Sequence, residues 1–550
     1  MTKTVGYQIA QSLADAGVTT VFGVISIHNM PILDGIAEQG RIRFVTARGE
    51  AGAMNMADAF SRVSGEVGVV LTSTGTAAGN AAGGQAEALT AGSRLLHITT
   101  QVDREFMDRN QAAIHDVPKQ PEMLKGVSKA YFRIWDEKSA IGTLDAAIRA
   151  ASTPPAGPVS LEIPVDVQRL DAVTSFELSP PTVTAPKASD AQLDALAELV
   201  KSAKRPMIWL GGGAREASVE ACELVQRGFG VVTSTQGRAV VPEDNPSTLG
   251  AFNMTPEAQG IYQASDLMIV VGSRLRGNET LNNKMKLPQP LVQIDAEPSQ
   301  CGRNYPVDMF LNGGAAQTLR GLLDRLPDRL DVDPNHSYEI AVARAKSEGA
   351  LRERLGPYQV VADHLLEVVP AGCHPWVRDV TISNSTFGNR YVQIAAPNLG
   401  VHALGGGIGQ GIAMGIGAAV ASTDARVITL LGDGGSMLGI AELITAVDED
   451  LNVTFLLMND AAYGVIENIQ DAQYDGRRHY SKIKVPNFAK LCDAIDMPHM
   501  MVDNIGAFAE TFDQAMAVKG PVLLEVDMVK IGPFAESFSG PPAGAAGNKV

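Results

Sequence analysis

Cysteine is scarce in this chain, and long apolar runs are missing. Its 550 residues include four cysteines, at the widely separated positions Cys222, Cys301, Cys373 and Cys492. This spacing excludes a paired metal-binding motif and a dense disulfide framework, and it favours reduced thiols. No stretch approaches the roughly 18–20 uninterrupted apolar residues of a membrane span. No apolar secretory segment precedes the first amphipathic helix, so we expect no membrane contact and a cytoplasmic location.

Positive charge is also in short supply. Lysine and arginine number 45 against 61 aspartates and glutamates, which gives a formal net charge of −16. This balance disfavours a broad nucleic-acid interface. The remaining composition is that of a globular protein, with 45% hydrophobic and 19% charged residues. The length predicts about three or four domains.

Short β-rich runs alternate with helical patterns along most of the chain, which predicts parallel sheets covered by helices. We therefore predict an α/β protein of three consecutive doubly wound domains, at 1–170, 187–335 and 355–535. A linker containing proline and threonine, Ser179–Pro186, follows the first domain. The tail at 536–550, rich in Gly, Pro and Ala, is predicted to be flexible or to act as a lid. In the first two domains the predicted strands are 20–22, 42–45, 67–71, 95–98, 159–163, 207–210, 230–233, 267–271 and 291–294.

The most informative segment is Arg426–Ser436. Its apolar run ends in Gly432-Asp433-Gly434-Gly435, and a helical pattern begins at Ser436. A strand, a tight turn and a helix N-terminus in this order offer free N–H groups and the positive end of a helix dipole, which suit a phosphate group. Asp433 adds an oxygen ligand for Mg²⁺. A second apolar run, Val453–Met458, ends in Asn459-Asp460, so two polar strand ends can meet over one metal ion.

A Gly-Asp-Gly turn followed at this distance by Asn after an apolar strand resembles the diphosphate- and Mg²⁺-binding motif of thiamine diphosphate (ThDP) enzymes. The alternative is an ordinary strand–turn–helix of a doubly wound sheet. Three α/β blocks with the motif in the last one are similar to the acetolactate synthase/pyruvate oxidase/benzaldehyde lyase group. In that group the domain order is pyrimidine-binding, central and diphosphate-binding.

The resemblance implies a metal site made of Asp433, Asp460 and the backbone carbonyl of Ala462. Most relatives carry an asparagine where this chain has Asp460, so the chain brings one more negative charge to the metal. The cofactor phosphates are expected to bind residues of the turn and the helix start, namely Gly434, Gly435 and Ser436.

The resemblance assigns the other end of the cofactor to the segment Val45–Met54. In this group a glutamate hydrogen-bonds N1′ of the aminopyrimidine ring and promotes loss of the C2 proton of ThDP. Glu50 matches that glutamate, because it lies just past a predicted strand end and opens a helix of small residues. The alternative for Glu50 is a helix-capping carboxylate.

Other cofactor contacts also follow from the resemblance. Asn384 and Ser385 match the first strand end of the third domain, and Ile408 matches the aliphatic residue that props the cofactor in its V shape. Core packing is the alternative for Ile408. The segment Thr74–Asn80, with Thr74 and Asn80 as expected contacts, resembles the Gly-Pro-Gly turn of the family. Thr76 and Ala77 replace its Pro and second Gly, which leaves the shape of the turn open.

Two histidines are candidates for proton transfer. His28 lies in the loop after the first predicted strand, where acetolactate synthases have a small residue and benzaldehyde lyase has a histidine. His115 stands where relatives usually carry glutamine. An imidazole near neutral pKa can pass protons to and from a substrate adduct, which suits both as catalytic residues. A purely structural role is the alternative for each.

The resemblance leaves the reaction open. It implies a ThDP- and Mg²⁺-dependent carboligase or lyase acting on 2-oxo acids or 2-hydroxy ketones, with a 2-oxo acid decarboxylase as an alternative. FAD is possible but not favoured, because Gly211–Gly213 and Gly272–Arg274 match only part of the family's flavin contacts. The active site is expected between two subunits of a homodimer or homotetramer. A rival from another class is a non-catalytic protein that binds a nucleotide or CoA.

Overall fold

The computed structural model describes residues 3–173 and 177–538. It contains three parallel β-sheets, each with helices around it, so the predicted α/β class with three consecutive doubly wound units is confirmed. The predicted domain limits stay a prediction, and the tail from 539 onward lies outside the described residues. Among the residues described, no helix is long and apolar enough to cross a membrane.

The first sheet has the strand order β2-β1-β3-β4-β6-β5. Its strands are β1 (Thr20–Gly23), β2 (Arg43–Thr46), β3 (Gly68–Thr72), β4 (Leu95–Gln101), β5 (Ala130–Arg133) and β6 (Val159–Pro164). The helices around it are α1 (Val5–Asp15), α2 (Met30–Gln39), α3 (Glu50–Ser64), α4 (Thr76–Ala91), α5 (Gln120–Gly126), α6 (Ala140–Ser152) and α7 (Val165–Gln168). β5 was not among the predicted strands. It is a half-buried edge strand whose mixed sequence gives a weak pattern.

The second sheet has the order β11-β10-β9-β7-β8. Its strands are β7 (Pro206–Leu210), β8 (Gly230–Thr233), β9 (Leu267–Val271), β10 (Leu291–Asp295) and β11 (Met309–Asn312). Its helices are α8 (Asp190–Ser202), α9 (Ser218–Gln226), α10 (Pro256–Ala264) and α11 (Ala315–Leu323), and α12 (His336–Arg354) leads toward the third sheet. The strand β11 was also missed, and it too is an edge strand.

The third sheet has the order β13-β12-β14-β15-β17-β16. Its strands are β12 (Trp376–Arg378), β13 (Gly400–His402), β14 (Val427–Gly432), β15 (Val453–Asn459), β16 (His499–Val502) and β17 (Val522–Asp527). Its helices are α13 (Gln359–Ala371), α14 (Gly411–Ala421), α15 (Asp433–Gly439), α16 (Leu443–Asp448), α17 (Gly464–Gln473), α18 (Phe488–Ala494), α19 (Phe508–Ala517) and α20 (Met528–Ile531). The predicted helix start at Ser436 is wrong. α15 begins three residues earlier, because the turn glycines adopt helical geometry directly after the strand.

Strand order fixes where ligands can bind. In both outer sheets the order reverses between two neighbouring strands, β1 and β3 in the first and β12 and β14 in the third. Open α/β sheets bind ligands at such switch points, beyond the carboxyl ends of the strands. The loop carrying His28 follows β1, and Ser73 follows β3. In the third sheet, Asp379 follows β12 and Asp433 begins directly after β14.

The first and third units pack against each other through α3 and α14. A Cβ at Gly417 would overlap the carbonyl of Met56, so glycine permits this close approach. Beside this contact the buried Arg62 guanidinium pairs with the carboxylates of Asp58 and Glu87. Arg62 also donates to the backbone carbonyl of His402 across the boundary, at 2.7 Å. The two units are therefore joined by a buried polar network as well as by apolar packing.

Candidate functional site

The first part of the site lies at the switch point of the third sheet. Asp433 is buried at the end of β14, and its Oδ2 atom has no hydrogen-bond partner in the described structure. The hydroxyl of Ser436, one turn further along α15, is also buried and without a partner there. Gly434 and Gly435 between them are buried, and a Cβ at Gly434 would lie 2.6 Å from the Tyr463 ring. The turn thus presents unpaired polar atoms on a backbone with no room for side chains.

A second carboxyl group reaches this corner from the neighbouring strand. The register of β14 and β15 sets Gly432 opposite Met458, so both strands release their following residues at one edge. Burial raises the pKa of Asp433. Burial, together with the hydrogen-bonded carboxyl of Asp433, also raises the pKa of Asp460, to about 8. Two acids therefore meet at this corner, Asp433 buried and Asp460 half-buried.

The loop after Asp460 is held in place by its own backbone. Ala461 adopts a positive φ of 54°, Ala462 forms an antiparallel bridge with Lys482, and the Tyr463 N–H donates to Ser481 O at 2.8 Å. Asn459, the other polar residue at this strand end, is engaged elsewhere. Its amide donates to Glu525 Oε1 at 2.7 Å and its Oδ1 accepts from the Ala461 N–H at 3.1 Å.

These residues fit a divalent cation and a diphosphate. Two facing carboxyls, one buried and one half-buried, with one oxygen unpaired, suit a hard cation that takes oxygen ligands. Mg²⁺ commonly binds through one or two carboxylates. The described residues contain no cluster of three or more His, Cys, Asp or Glu side chains suited to a metal. A site here would therefore complete its coordination with backbone carbonyls, phosphate oxygens or water.

Asp379 is a residue that the sequence analysis did not assign. Its carboxylate accepts from the N–H of Gly409 at 3.0 Å and from that of Val380 at 2.7 Å. Burial raises its pKa to about 6, against the lowering effect of these N–H donors. The bond to Gly409 fixes the glycine-rich turn at 404–411. Ile408 lies in this turn and is 40% exposed. Ile408 is thus not packed in the core. The sequence feature that could have identified Asp379 is an acidic residue immediately after a short strand.

Asn384 and Ser385 lie after the same strand. Asn384 is buried in a π-helical turn, Asn384–Gly388. Its Nδ2 atom lies 3.2 Å from His402 Nδ1, and its Oδ1 has no partner among the described residues. The Ser385 N–H donates to Thr381 O at 3.0 Å, and its side chain is half-buried.

The second part of the site lies on the first sheet. Glu50 is the first residue of α3, half-buried, and its Oε2 accepts from Asn80 Nδ2 at 3.1 Å. The backbone just before it is bound by the third unit, because the buried Glu442 carboxylate accepts from the N–H groups of Arg48 and Gly49 at 3.1 Å. Glu442 was missed from the sequence, since its partners are nearly 400 positions away in the chain.

The two candidate histidines meet at the switch point of this sheet. The rings of His28 and His115 lie edge to face with centroids 5.0 Å apart. His28 Nδ1 is 3.3 Å from the Ser73 hydroxyl, and the His28 carbonyl accepts from Gln168 Nε2 at 3.0 Å. Burial, followed by the neighbouring His115, lowers the pKa of His28. His28 is therefore neutral at neutral pH and can accept a proton.

Thr74 and Gly75 form the turn between these histidines and α4. The Thr74 hydroxyl lies 3.1 Å from the side-chain oxygens of both Gln101 and Gln120. The sequence left the shape of this turn open. In the structure Gly75 adopts φ 66° and ψ −112°, and a Cβ there would collide with the His115 carbonyl.

The central unit contains a separate cavity of about 790 Å³. It is bordered by first-unit residues and by Gly212, Gly213, Gly272, Ser273 and Arg274, the segments compared with flavin contacts. A Cβ at Gly213 would lie 2.9 Å from Gly272 Cα. Close packing of two strand ends therefore explains these glycines without a flavin, and the expectation that FAD is not favoured stays a prediction.

Family models match the chain in three places: the N-terminal TPP binding domain of thiamine pyrophosphate enzymes at 3–123, their central domain at 193–322, and their C-terminal TPP binding domain at 381–526. The chain is 29% identical to a probable 2-ketoarginine decarboxylase of Pseudomonas aeruginosa, over 85% of this chain and 84% of that protein.

Two further relatives are named as synthases. A probable acetolactate synthase large subunit of Methanocaldococcus jannaschii is 26% identical, over 94% of this chain and 90% of its own length. The acetolactate synthase isozyme 3 large subunit of Escherichia coli is 27% identical, over 88% and 87%. With three domain models in the family order and relatives over most of its length, the chain belongs to the thiamine pyrophosphate enzyme family, in the group that includes acetolactate synthases.

Proposed function

We propose that this protein is a ThDP- and Mg²⁺-dependent enzyme that forms or cleaves the C–C bond next to the carbonyl of a 2-oxo acid or 2-hydroxy ketone. The observation that carries the proposal is the pair of buried Asp433 and half-buried Asp460 at the sheet switch point, with one carboxylate oxygen unpaired. A buried pair of acids costs stability unless something neutralises it, and a bound divalent cation would do so.

Each residue of the site has a role in this proposal. Asp433, Asp460 and the carbonyl of Ala462 hold Mg²⁺, and the diphosphate binds the N–H groups and hydroxyl of the turn and helix start at Gly434, Gly435 and Ser436. Asn384 and Ser385 bind the diphosphate from the other side, Ile408 supports the cofactor rings, and Thr74 and Asn80 border the pyrimidine. When bound, ThDP takes up the electron pair that the broken C–C bond leaves.

Glu50 hydrogen-bonds N1′ of the pyrimidine ring and exchanges a proton with it. The Asn80 amide orients this carboxylate through the bond to Oε2. His28, neutral at neutral pH, accepts a proton from a substrate hydroxyl or returns one to a substrate carbon, and His115 stands within reach to share that task.

A 2-oxo acid decarboxylase is the second candidate. The paired histidines favour it, because two adjacent imidazoles can supply the proton that replaces the lost carboxylate. The similarity to a protein named as a probable 2-ketoarginine decarboxylase also supports it. In a carboligase the same substrate carbon would instead form a bond to the carbonyl carbon of an acceptor, whose oxygen takes up a proton, so the product distinguishes the two.

We further propose a homodimer or homotetramer with the active site between subunits. Large apolar side chains stand exposed beside both halves of the site: Ile25, Ile27 and Met30 next to His28, and Met437 and Leu438 on α15. Exposed apolar patches of this kind are typical of protein interfaces, and a two-fold axis would cover both at once.

The test is a substrate screen of the purified protein with ThDP and Mg²⁺. Release of CO₂ and formation of aldehyde or acyloin products from 2-oxo acids, 2-hydroxy ketones and cyclic diketones would be followed in parallel. Turnover of at least one class that depends on ThDP supports the proposal. Binding of a nucleotide or CoA with no turnover of any class would favour the non-catalytic rival instead.

A further inference from the structure

We propose that Gln120, oriented by Glu162, is a positioning residue that holds the Thr74–Gly75 turn and, through it, the spacing of His28 and His115. The inference rests on the proposed function, in which this turn borders the cofactor and the two histidines move protons. In the described part of the chain no hydrogen bond joins Gln120 or Glu162 to either imidazole, so both act through the turn.

Gln120 is fully buried at the start of α5 and makes its bonds to two different strand ends. Its Oε1 accepts from the Gly75 N–H at 2.6 Å and lies 3.1 Å from the Thr74 hydroxyl. Its Nε2 donates to Glu162 Oε1 at 2.7 Å and to Thr100 O at 3.2 Å. One amide thus ties the turn after β3 to the strands β4 and β6.

Glu162 determines which way that amide points. A carboxylate accepts hydrogen bonds and donates none, so the NH₂ groups of Gln120 and Gln101 both face it, at 2.7 and 3.0 Å. Their oxygens consequently face the turn. The other carboxylate oxygen of Glu162 accepts from the Tyr131 hydroxyl at 2.5 Å and from Arg133 Nε, which offsets the buried charge.

The turn itself contacts both histidines. The Ser73 hydroxyl lies 3.3 Å from His28 Nδ1. On the other side, the Gly75 backbone packs directly against the carbonyl of His115, and the Thr74 hydroxyl is 3.4 Å from the same carbonyl. A shift of this turn therefore changes the distance between the two imidazoles.

The composition of the turn explains why such a bond is needed. Thr76 follows Gly75 in this turn, and threonine, unlike proline, does not fix φ. Gly75 has φ 66° and ψ −112°, a conformation that glycine adopts as easily as its mirror image. The buried amide of Gln120 supplies by a hydrogen bond the constraint that a proline ring would supply covalently.

The same geometry suggests a rescue. Thr76 is the first residue of α4, where proline is favoured because a helix N–H has no intrahelical partner there. A proline disfavours the α region for the residue before it, and the conformation of Gly75 is the mirror image of an extended one. Thr76→Pro is therefore compatible with the turn and should stiffen it without Gln120.

We would measure Gln120→Ala, Glu162→Gln and the double variant Gln120→Ala/Thr76→Pro. Gln85→Ala is the matched control, since Gln85 is also a buried glutamine of this unit but bonds Ser128, Ser160 and His97 and not the turn. Gln120→Ala should lower kcat on the order of tenfold to hundredfold, as expected for a misplacement of about 1 Å. ThDP affinity in calorimetry should change by less than about threefold, because the turn touches only one end of the cofactor.

Two readouts separate positioning from general loss of structure. Amide hydrogen exchange of the peptide covering 72–80 in the cofactor-free protein should speed up in Gln120→Ala and Glu162→Gln and not in Gln85→Ala. Thr76→Pro in the Gln120→Ala background should slow that exchange again and restore kcat to within about threefold of wild type, since it replaces the lost constraint.

Wild-type kcat and exchange in Gln120→Ala, or a Gln85→Ala defect of equal size, would overturn the inference. A failure of Thr76→Pro to restore either quantity would also do so. If Gln120→Ala does not fold, Glu162→Gln and its combination with Thr76→Pro are measured in its place against the same two criteria. Failure of the wild-type protein to bind ThDP would instead defeat the proposed function, and the exchange rates would then test the role of Gln120 in the turn without it.

Discussion

The imidazole rings of His28 and His115 lie edge to face, with centroids 5.0 Å apart and an interplanar angle of 78°. His28 lies in the loop after β1 and His115 in the segment between β4 and α5. Both contact the turn after β3, the strand that lies between β1 and β4 in the sheet. Burial, and then His115, lower the pKa of His28, which keeps it neutral at the pH of a cell.

The pair leads to a prediction about pH. The pKa of His28 lies below 6.5, and activity is lost as His28 gains a proton. The acidic limb of the pH profile, where kcat/KM falls as the pH decreases, should therefore lie below pH 6.5. His115→Gln removes one of the two main causes that lower this pKa, so the acidic limb should move to higher pH.

His28→Ala should lower turnover much more than ThDP affinity.

The control for the pH profile is His364→Gln, which removes a histidine paired with Asp513 away from the site. Its acidic limb should coincide with that of the wild type. An unchanged limb in His115→Gln, or one shifted to lower pH, would contradict the coupling between the two rings.

Glu50 gives a second prediction. Glu50→Gln keeps the shape of the side chain but cannot exchange a proton with N1′, so turnover should fall by about a thousandfold or more while ThDP still binds. Glu66→Gln, which alters an acid of the same unit bonded to Thr19, should remain active. Calorimetry and product formation measure the two quantities separately. Full activity of Glu50→Gln would defeat its assignment.

Asp460 gives a third prediction. Asp460→Asn introduces the amide that the family resemblance leads us to expect at this position, and it removes one of two facing carboxyls. The metal-free variant should therefore unfold at a higher temperature than the metal-free wild type. With Mg²⁺ present it should still bind ThDP, and its relative affinity for other divalent cations should change. A lower melting temperature in the metal-free variant would show that the two acids do not oppose each other.

The buried polar network between the first and third units gives a fourth prediction. Arg62→Met leaves the carboxylates of Asp58 and Glu87 buried without their cation, which should lower the free energy of unfolding by about 3–5 kcal/mol. Urea denaturation measures it. Arg41→Met, which breaks an exposed pair with Asp15, should cost less than about 1 kcal/mol. Equal losses in the two variants would mean that burial of the pair adds nothing.

The fully buried strands were predictable because they are short and almost wholly apolar. The runs 230–233 and 267–271 coincide with β8 and β9. The edge strands β5 and β11 were missed, since half-exposed positions carry mixed residue types and neither periodicity nor composition marks them. The start of α15 was set three residues late, because glycines in a helical first turn have no apolar pattern.

The residues of the site also differ in how well the sequence predicts them. Residues that end apolar strands, such as Asp433 and Asp460, are visible in the sequence because polar groups there break a clear pattern. Residues that act through distant partners are not visible. Gln120 and Glu442 each bond backbone groups in another part of the fold, and only the folded chain brings those partners together.

Calorimetric titration of ThDP into the protein at saturating Mg²⁺ tests the central claim most directly, with Asp433→Asn as the comparison. The wild type should take up ThDP, and the variant, which lacks the carboxylate with the unpaired oxygen, should take up little or none. No uptake by the wild type, or equal uptake by both, would contradict the account.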